Sequence, residues 1–177
     1  MKIPELQQKL KESHDRFMTT IRNASDVDFT KSVNQKWTAG QQLEHIIKSI
    51  GPVNTAFALP TFVLRMLFGK ANRLSRTYDE LVTKYQGKLN QGGRAPGRFV
   101  PKPVSLNQRE ELFQKLDGIV RSLSRKLDSL SEEQLDLIIL PHPLLGKLTL
   151  REMIYFSIYH AGHHEKQVTI ILNNQIA

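Results

Sequence analysis

The chain has 177 residues, 40% of them hydrophobic, which is enough for one domain to bury a full core without covalent staples. It has no cysteine, which excludes disulfides, thiolate metal sites and a cysteine nucleophile, so any thiol chemistry needs a thiol brought by another molecule. Lys and Arg number 25 against 17 acids, and the resulting charge of +8 permits attraction to nucleic acid, anionic membrane or anionic small molecules without choosing among them.

The N-terminal stretch MKIPELQQKL carries proline, acid and amide residues where a secretory signal would place its apolar run. A cytoplasmic chain is expected. The longest apolar tract, residues 53–68, is shorter than a membrane span and is broken by Pro60 and Arg65. It reads as a core or interface segment, and a homodimer would use it.

In chain order, the first helix is expected over residues 4–21, with Pro4 tolerated in the first turn and Leu6, Leu10, Phe17 and Ile21 forming an apolar stripe. The second begins at Ala39 and passes Ile50, with Pro52 predicting a kink and Pro60 a break. Residues 70–104 follow as a basic, turn-rich stretch. Within it, 78–85 suit a short helix, whereas Gly92-Gly93, Pro96-Gly97 and Pro101-Lys102-Pro103 read as loop. The third helix is expected over 106–130, with Leu112, Leu116, Ile119, Leu123 and Leu127 at spacings of three and four. After a loop at 140–147 the fourth spans 150–173, and Asn173-Asn174 could end it. Four starts carry a hydroxyl residue followed three positions later by Gln or Glu: Thr38 with Gln41, Ser105 with Gln108, Ser131 with Gln134, and Thr149 with Glu152. The pattern predicts an all-α, four-helix bundle in a single domain, 1–177. So long a crossover between the second and third helices suits helices that are not antiparallel neighbours.

The chemistry concentrates in the fourth helix. His160 and His164 are one turn apart and can point two imidazoles at one ion, while His163 faces elsewhere. Such a pair also occurs by chance, so a third ligand is needed. His14, His45 and His142 are the candidates. His45 lies nearly opposite the Leu43, Ile46, Ile47 and Ile50 stripe but shares its face with Ser49 and Ala56, small residues that could line a cavity. His14 sits among Glu12, Asp15 and Arg16. Spacing puts His45 only slightly ahead and leaves the choice open.

Three segments together resemble the DinB-like superfamily of four-helix-bundle proteins, which includes bacillithiol and mycothiol transferases. They are residues 37–46 (WTAGQQLEHI), 142–149 (HPLLGKLT) and 160–164 (HAGHH). The resemblance spans nearly the whole chain. It implies that His45, His160 and His164 form an open metal site, that Trp37 packs the start of the second helix, and that His142 with Pro143 forms a turn or lies at the mouth of the site. Three imidazoles suit zinc or nickel, and also iron or copper.

The leading expectation is therefore a metal-dependent enzyme, a transferase joining a low-molecular-weight thiol to an electrophilic small-molecule substrate. A metal-assisted hydrolase is the alternative within the same ligand set. Outside enzymes, a non-catalytic metal-stabilised bundle, a dimerisation module or an anion-binding protein using Arg73, Arg76, Lys84, Lys88, Arg94, Arg98 and Lys102 remains open. No helix-turn-helix or zinc-finger pattern accompanies those charges, so nucleic acid is not an expected partner, and a solvated surface loop is the plainer reading.

Overall fold

The structure is a computed structural model that describes residues 1–33 and 35–173. Among them are eight α-helices: α1 (Ile3–Arg22), α2 (Asp26–Thr30), α3 (Ala39–Ala56), α4 (Thr61–Phe68), α5 (Tyr78–Asn90), α6 (Arg109–Leu127), α7 (Glu132–Leu137) and α8 (Leu150–Asn173). A two-stranded antiparallel hairpin, β1 (Ile139–His142) and β2 (Gly146–Thr149), precedes α8.

The four long helices form the bundle, with α1 packed on α8 and α6, and α3 packed on the same two. Side-chain bonds give their directions. The Met1 amino group donates to the Tyr155 hydroxyl and Thr20 donates to Glu165, so α1 and α8 run parallel. Lys126 near the end of α6 donates to Asn54 near the end of α3, and Val104 just before α6 faces Gly40 at the start of α3. These two are also parallel. Gln7 bonds to Ser124 and Asp128 while Arg22 bonds to Glu110, which makes α1 and α6 antiparallel. The long crossover thus joins adjacent parallel helices, as its length implies.

Helix starts fall where the hydroxyl and amide pairs place them, and all four pairs exchange both hydrogen bonds. A fifth, Thr77 with Glu80, opens α5, which runs to Asn90 rather than ending near Tyr85. Pro52 lies inside α3, and α4 leaves it at 109° after the break before Pro60. The third long helix is shorter than its pattern suggests. Residues Leu106–Gln108 form a 3-10 turn, and the α-helix ends at Leu127 because Ser131 caps α7 immediately afterwards. Asn174, half of the expected stop signal, lies outside the described residues.

The 140–147 loop is instead the turn and strands of the hairpin, pairing Ile139 with Thr149 through His142 with Gly146. Gly146 sits at φ 77°, a left-handed conformation that a side chain would resist. Among the described residues no single helix is long and apolar enough to cross a membrane; α3 and α4 taken together pass on length and composition, and α3 contributes much of the core. On α4, Phe62, Met66 and Leu67 are exposed.

Two polar groups are buried within this arrangement. Glu152 is fully buried and receives both Arg73 nitrogens at 2.7 and 2.8 Å, the Arg76 side chain, and the backbone N–H groups of Arg76 and Thr149. Burial would raise its carboxyl, yet these bonds hold it below the usual range. His14 is buried between helices, and its Nδ1 donates to the Leu10 carbonyl at 2.8 Å. Burial pushes it down to about 4.

Glu152→Ala leaves two guanidinium groups and two backbone N–H groups without their acceptor, and should cost about 3 kcal/mol in urea unfolding. For His14, the unfolded state takes up a proton as pH falls through its ordinary value while the native state stays neutral, so stability is lost from there down to about 4 and no further. Comparing His14→Leu with the parent chain, the stability difference should shift in the variant's favour by about 2 kcal/mol between pH 7 and pH 5. An unchanged difference would show that His14 is not the neutral buried group described.

Candidate metal centre

The spacing in α8 sets His160 and His164 one above the other, and antiparallel α3 brings His45 beside them. His160 Nε2 lies 3.3 Å from His45 Nε2 and 3.0 Å from His164 Nε2. One ligand nitrogen from each ring falls within 4.8 Å of the other two, a group that could hold a metal ion.

Bonds on the far sides of the rings fix which nitrogens are free. His45 Nδ1 donates to the Phe99 carbonyl at 2.8 Å, and His164 Nδ1 donates to the Gln42 side-chain oxygen. An imidazole that donates through Nδ1 keeps a lone pair on Nε2. Two lone pairs therefore face His160 Nε2, which offers one proton at most. One proton cannot satisfy both, whereas a cation among the three nitrogens would. All three rings are buried, and burial, followed by the neighbouring imidazoles, pushes His160 and His164 well below the ordinary histidine value. His45 is lowered by burial against the opposing Phe99 bond. Neutral imidazoles are the form that ligates.

His45 is buried although it opposes the main α3 stripe, because the end of the crossover covers that side. Besides the Phe99 bond, Lys48 donates to the Val100 carbonyl at 2.9 Å and the Lys102 N–H donates to Glu44. The Trp37 ring closes another side, with its centroid 4.9 Å from His45 and 6.4 Å from His164, stacked on the latter.

On the remaining side the centre opens into a cavity of about 250 Å³ lined by His45 and His160. Val53 and Ala56 of α3, Tyr85 and Leu89 of α5, Phe99 of the crossover, His142 and Leu144 of the hairpin, and Met153 and Phe156 of α8 supply its walls. Arg98 also lines it, with its guanidinium 4.8 Å over the Phe99 ring. Burial pushes the Tyr85 hydroxyl up to about 12 and His142 down to about 4.

The other histidines fall outside the cluster. His14 is in α1, bonded to Leu10, and His163 is half-buried, its ring edge-on to Tyr85. Glu165 receives Thr20 and lies near Arg16, away from the centre. Arg73 and Arg76 are committed to Glu152, and Lys84 donates to the Leu145 carbonyl, so the basic stretch is partly structural rather than a free patch. The sequence reading places none of Gln42, Phe99 and Tyr85 at the metal centre. Gln42 precedes His45 by three positions and shares its helix face, a signal that was available. Phe99 contributes through its carbonyl, which leaves no mark in residue type.

A family model described as the DinB superfamily matches residues 10–168, from α1 into the last turns of α8. The chain belongs to the DinB superfamily. Among solved structures, this DinB chain is similar to YfiT from Bacillus subtilis, described as a probable metal-dependent hydrolase with an unusual four-helix bundle topology. That match has a TM-score of 0.63 at 16% identity and covers 98% of this chain and 87% of YfiT. A conserved protein from Enterococcus faecalis matches with a TM-score of 0.62 at 16% identity, covering 97% of this chain and 95% of its own. A protein from Streptococcus pneumoniae matches at 0.52 and 15%, covering 96% and 89%. At these identities the likeness shows the four-helix-bundle fold. No curated protein matches the sequence at a significant level.

Proposed function

We propose that this DinB protein is a metal-dependent hydrolase of small, largely apolar molecules, with His45, His160 and His164 holding its divalent ion. The observation that supports this most is the pair of inward-facing imidazole lone pairs, which one proton on His160 cannot both satisfy, beside an apolar cavity. The description of YfiT as a probable metal-dependent hydrolase points the same way. Zinc and nickel suit three imidazoles, as do iron and copper. Three protein ligands leave coordination positions free, as a catalytic site requires.

A bound divalent ion supplies Lewis acidity, which makes water nucleophilic at neutral pH. The chain does the rest. Phe99 and Gln42 fix the ring orientations of His45 and His164, and Trp37 shields them from bulk water. Phe156, Met153 and Val53 hold the apolar part of a substrate next to the centre.

Thiol transfer is the second reading. Arg98 favours it, because a guanidinium at the cavity could pair with the carboxylate of a low-molecular-weight thiol in a protein with no cysteine of its own. Either reading needs only one chain's ligands, and a homodimer built on exposed Phe62, Met66 and Leu67 would be compatible with both.

Calorimetric titration with zinc and nickel should give about one ion per chain. His45→Ala, His160→Ala and His164→Ala should each remove most of the binding, Gln42→Ala should weaken it about 10-fold or more, and His163→Ala should bind normally. Unchanged affinity in the His160 and His164 variants would overturn the site.

Hydrolysis of a nitrophenyl ester should require the metal, stop with chelator and fall in His45→Ala. If ester turnover is absent but conjugation of a chlorinated aromatic needs both metal and thiol, the transferase reading replaces the hydrolase. If neither occurs in metal-loaded protein, the bundle is not an enzyme of either kind.

A further inference from the structure

His142 is wired in the opposite sense to His45 and His164. Its Nδ1 accepts the backbone N–H groups of Leu144 and Leu145 at 3.2 and 3.1 Å. Amide N–H groups cannot accept, so Nδ1 carries no proton and the single proton of the neutral ring is on Nε2. Protonating Nδ1 would set a third N–H against those two. The turn therefore holds the ring neutral and fixes one tautomer.

With Nδ1 turned into the hairpin, Nε2 occupies the opposite edge of the ring. His142 is 9% exposed and lines the cavity that His45 and His160 also line. Among the described residues its Nε2–H has no acceptor, and the Tyr85 hydroxyl on the same cavity has no hydrogen-bond partner either. A buried donor without an acceptor carries a penalty that a ligand can relieve. One aromatic ring separates His142 from the metal-centre histidines: the Phe156 centroid is 4.3 Å from His142 and 4.7 Å from His160. Val53, Phe68, Leu89, Leu144 and Met153 make most of the remaining surface apolar. Such a cavity selects a ligand with an apolar body and an oxygen acceptor placed to meet a fixed N–H.

We propose that the Nε2–H of His142 donates a hydrogen bond to a carbonyl oxygen of the substrate, so that the cavity takes small acyl or keto compounds with an aromatic or branched aliphatic body. In this role His142 cannot be a general base, since its outward nitrogen already holds the proton and its inward nitrogen is occupied by the turn. The proposal rests on the hydrolase reading for the reaction that follows binding. The donor itself depends only on the hairpin, with or without a metal ion.

The test uses acetophenone and ethylbenzene, which share a body and differ at the carbonyl, titrated into metal-free and zinc-loaded protein. Acetophenone should bind about 10-fold more tightly than ethylbenzene in both forms. In His142→Phe the preference should vanish. In His142→Gln it should largely persist, because the amide oxygen can accept from the turn while the amide nitrogen donates outward. Equal binding of the two probes to the unsubstituted protein, or a preference that survives in His142→Phe, overturns the proposal.

Should His142→Phe fail to fold, long-range proton–nitrogen correlation spectra of the unsubstituted protein decide. They should show Nε2 protonated and Nδ1 bare, and an Nδ1–H tautomer would overturn the assignment. The two readings fail separately. If zinc does not bind but metal-free protein keeps its carbonyl preference, the hydrolase reading falls and the donor stands, and ester turnover without that preference does the reverse.

Discussion

Two adjacent parallel helices cannot be joined by a tight turn, and this constraint on α3 and α6 shapes the rest of the molecule. The chain leaving α3 must travel back along the bundle before α6 can begin. It is pinned at one end where Arg73 and Arg76 meet Glu152 at the start of α8, and at the other where Phe99, Val100 and Lys102 bond to α3. Between these anchors α5 packs on α8 and closes one wall of the cavity. The connection thus gives α3 a second buried face, and that face carries His45.

How much was legible in the sequence depends on the range of the interaction concerned. Helix starts are decided within four residues, so the Thr38, Ser105, Ser131 and Thr149 pairs located them, and Thr77 with Glu80 would have done the same for α5. The His160 and His164 pair was readable for the same reason, being one turn apart on one helix. His45 was not readable from periodicity, because its partner is a backbone carbonyl 54 residues away and any residue type could have supplied it. There the family resemblance pointed to a position that the helix pattern argued against. The hairpin was missed because strands of four residues are too short to display alternation, and Pro141 and Pro143 in the same stretch read as loop.

Charge was the least informative sequence property. The basic crossover suggested an anion-binding surface, yet Arg73 and Arg76 neutralise a carboxylate that is fully buried, and Lys84 satisfies a backbone carbonyl. A positive residue in a loop can serve fold closure as readily as recognition, and which it serves is decided by what lies within hydrogen-bond reach. Arg98 is different, since it reaches the cavity and stacks on the ring of the residue whose carbonyl orients His45.

The histidines show how one side chain can be given opposite tasks by its second nitrogen. At His45 and His164 an acceptor on the protein side takes the Nδ1 proton and leaves a lone pair facing inward, which suits a cation and is poor for binding a carbonyl. At His142 two backbone donors take the Nδ1 lone pair and leave the proton on Nε2 of a ring that lines the cavity, which suits a carbonyl and is useless for a cation. Burial keeps all of them neutral, so tautomer rather than charge distinguishes them. A cavity with lone pairs at one place and an N–H donor one aromatic ring away is polarised by neutral groups as well as by the Arg98 guanidinium on its wall. On the proposed reading, that arrangement would hold a substrate carbonyl in a set orientation beside the three histidines while the apolar walls keep bulk water from competing for either group.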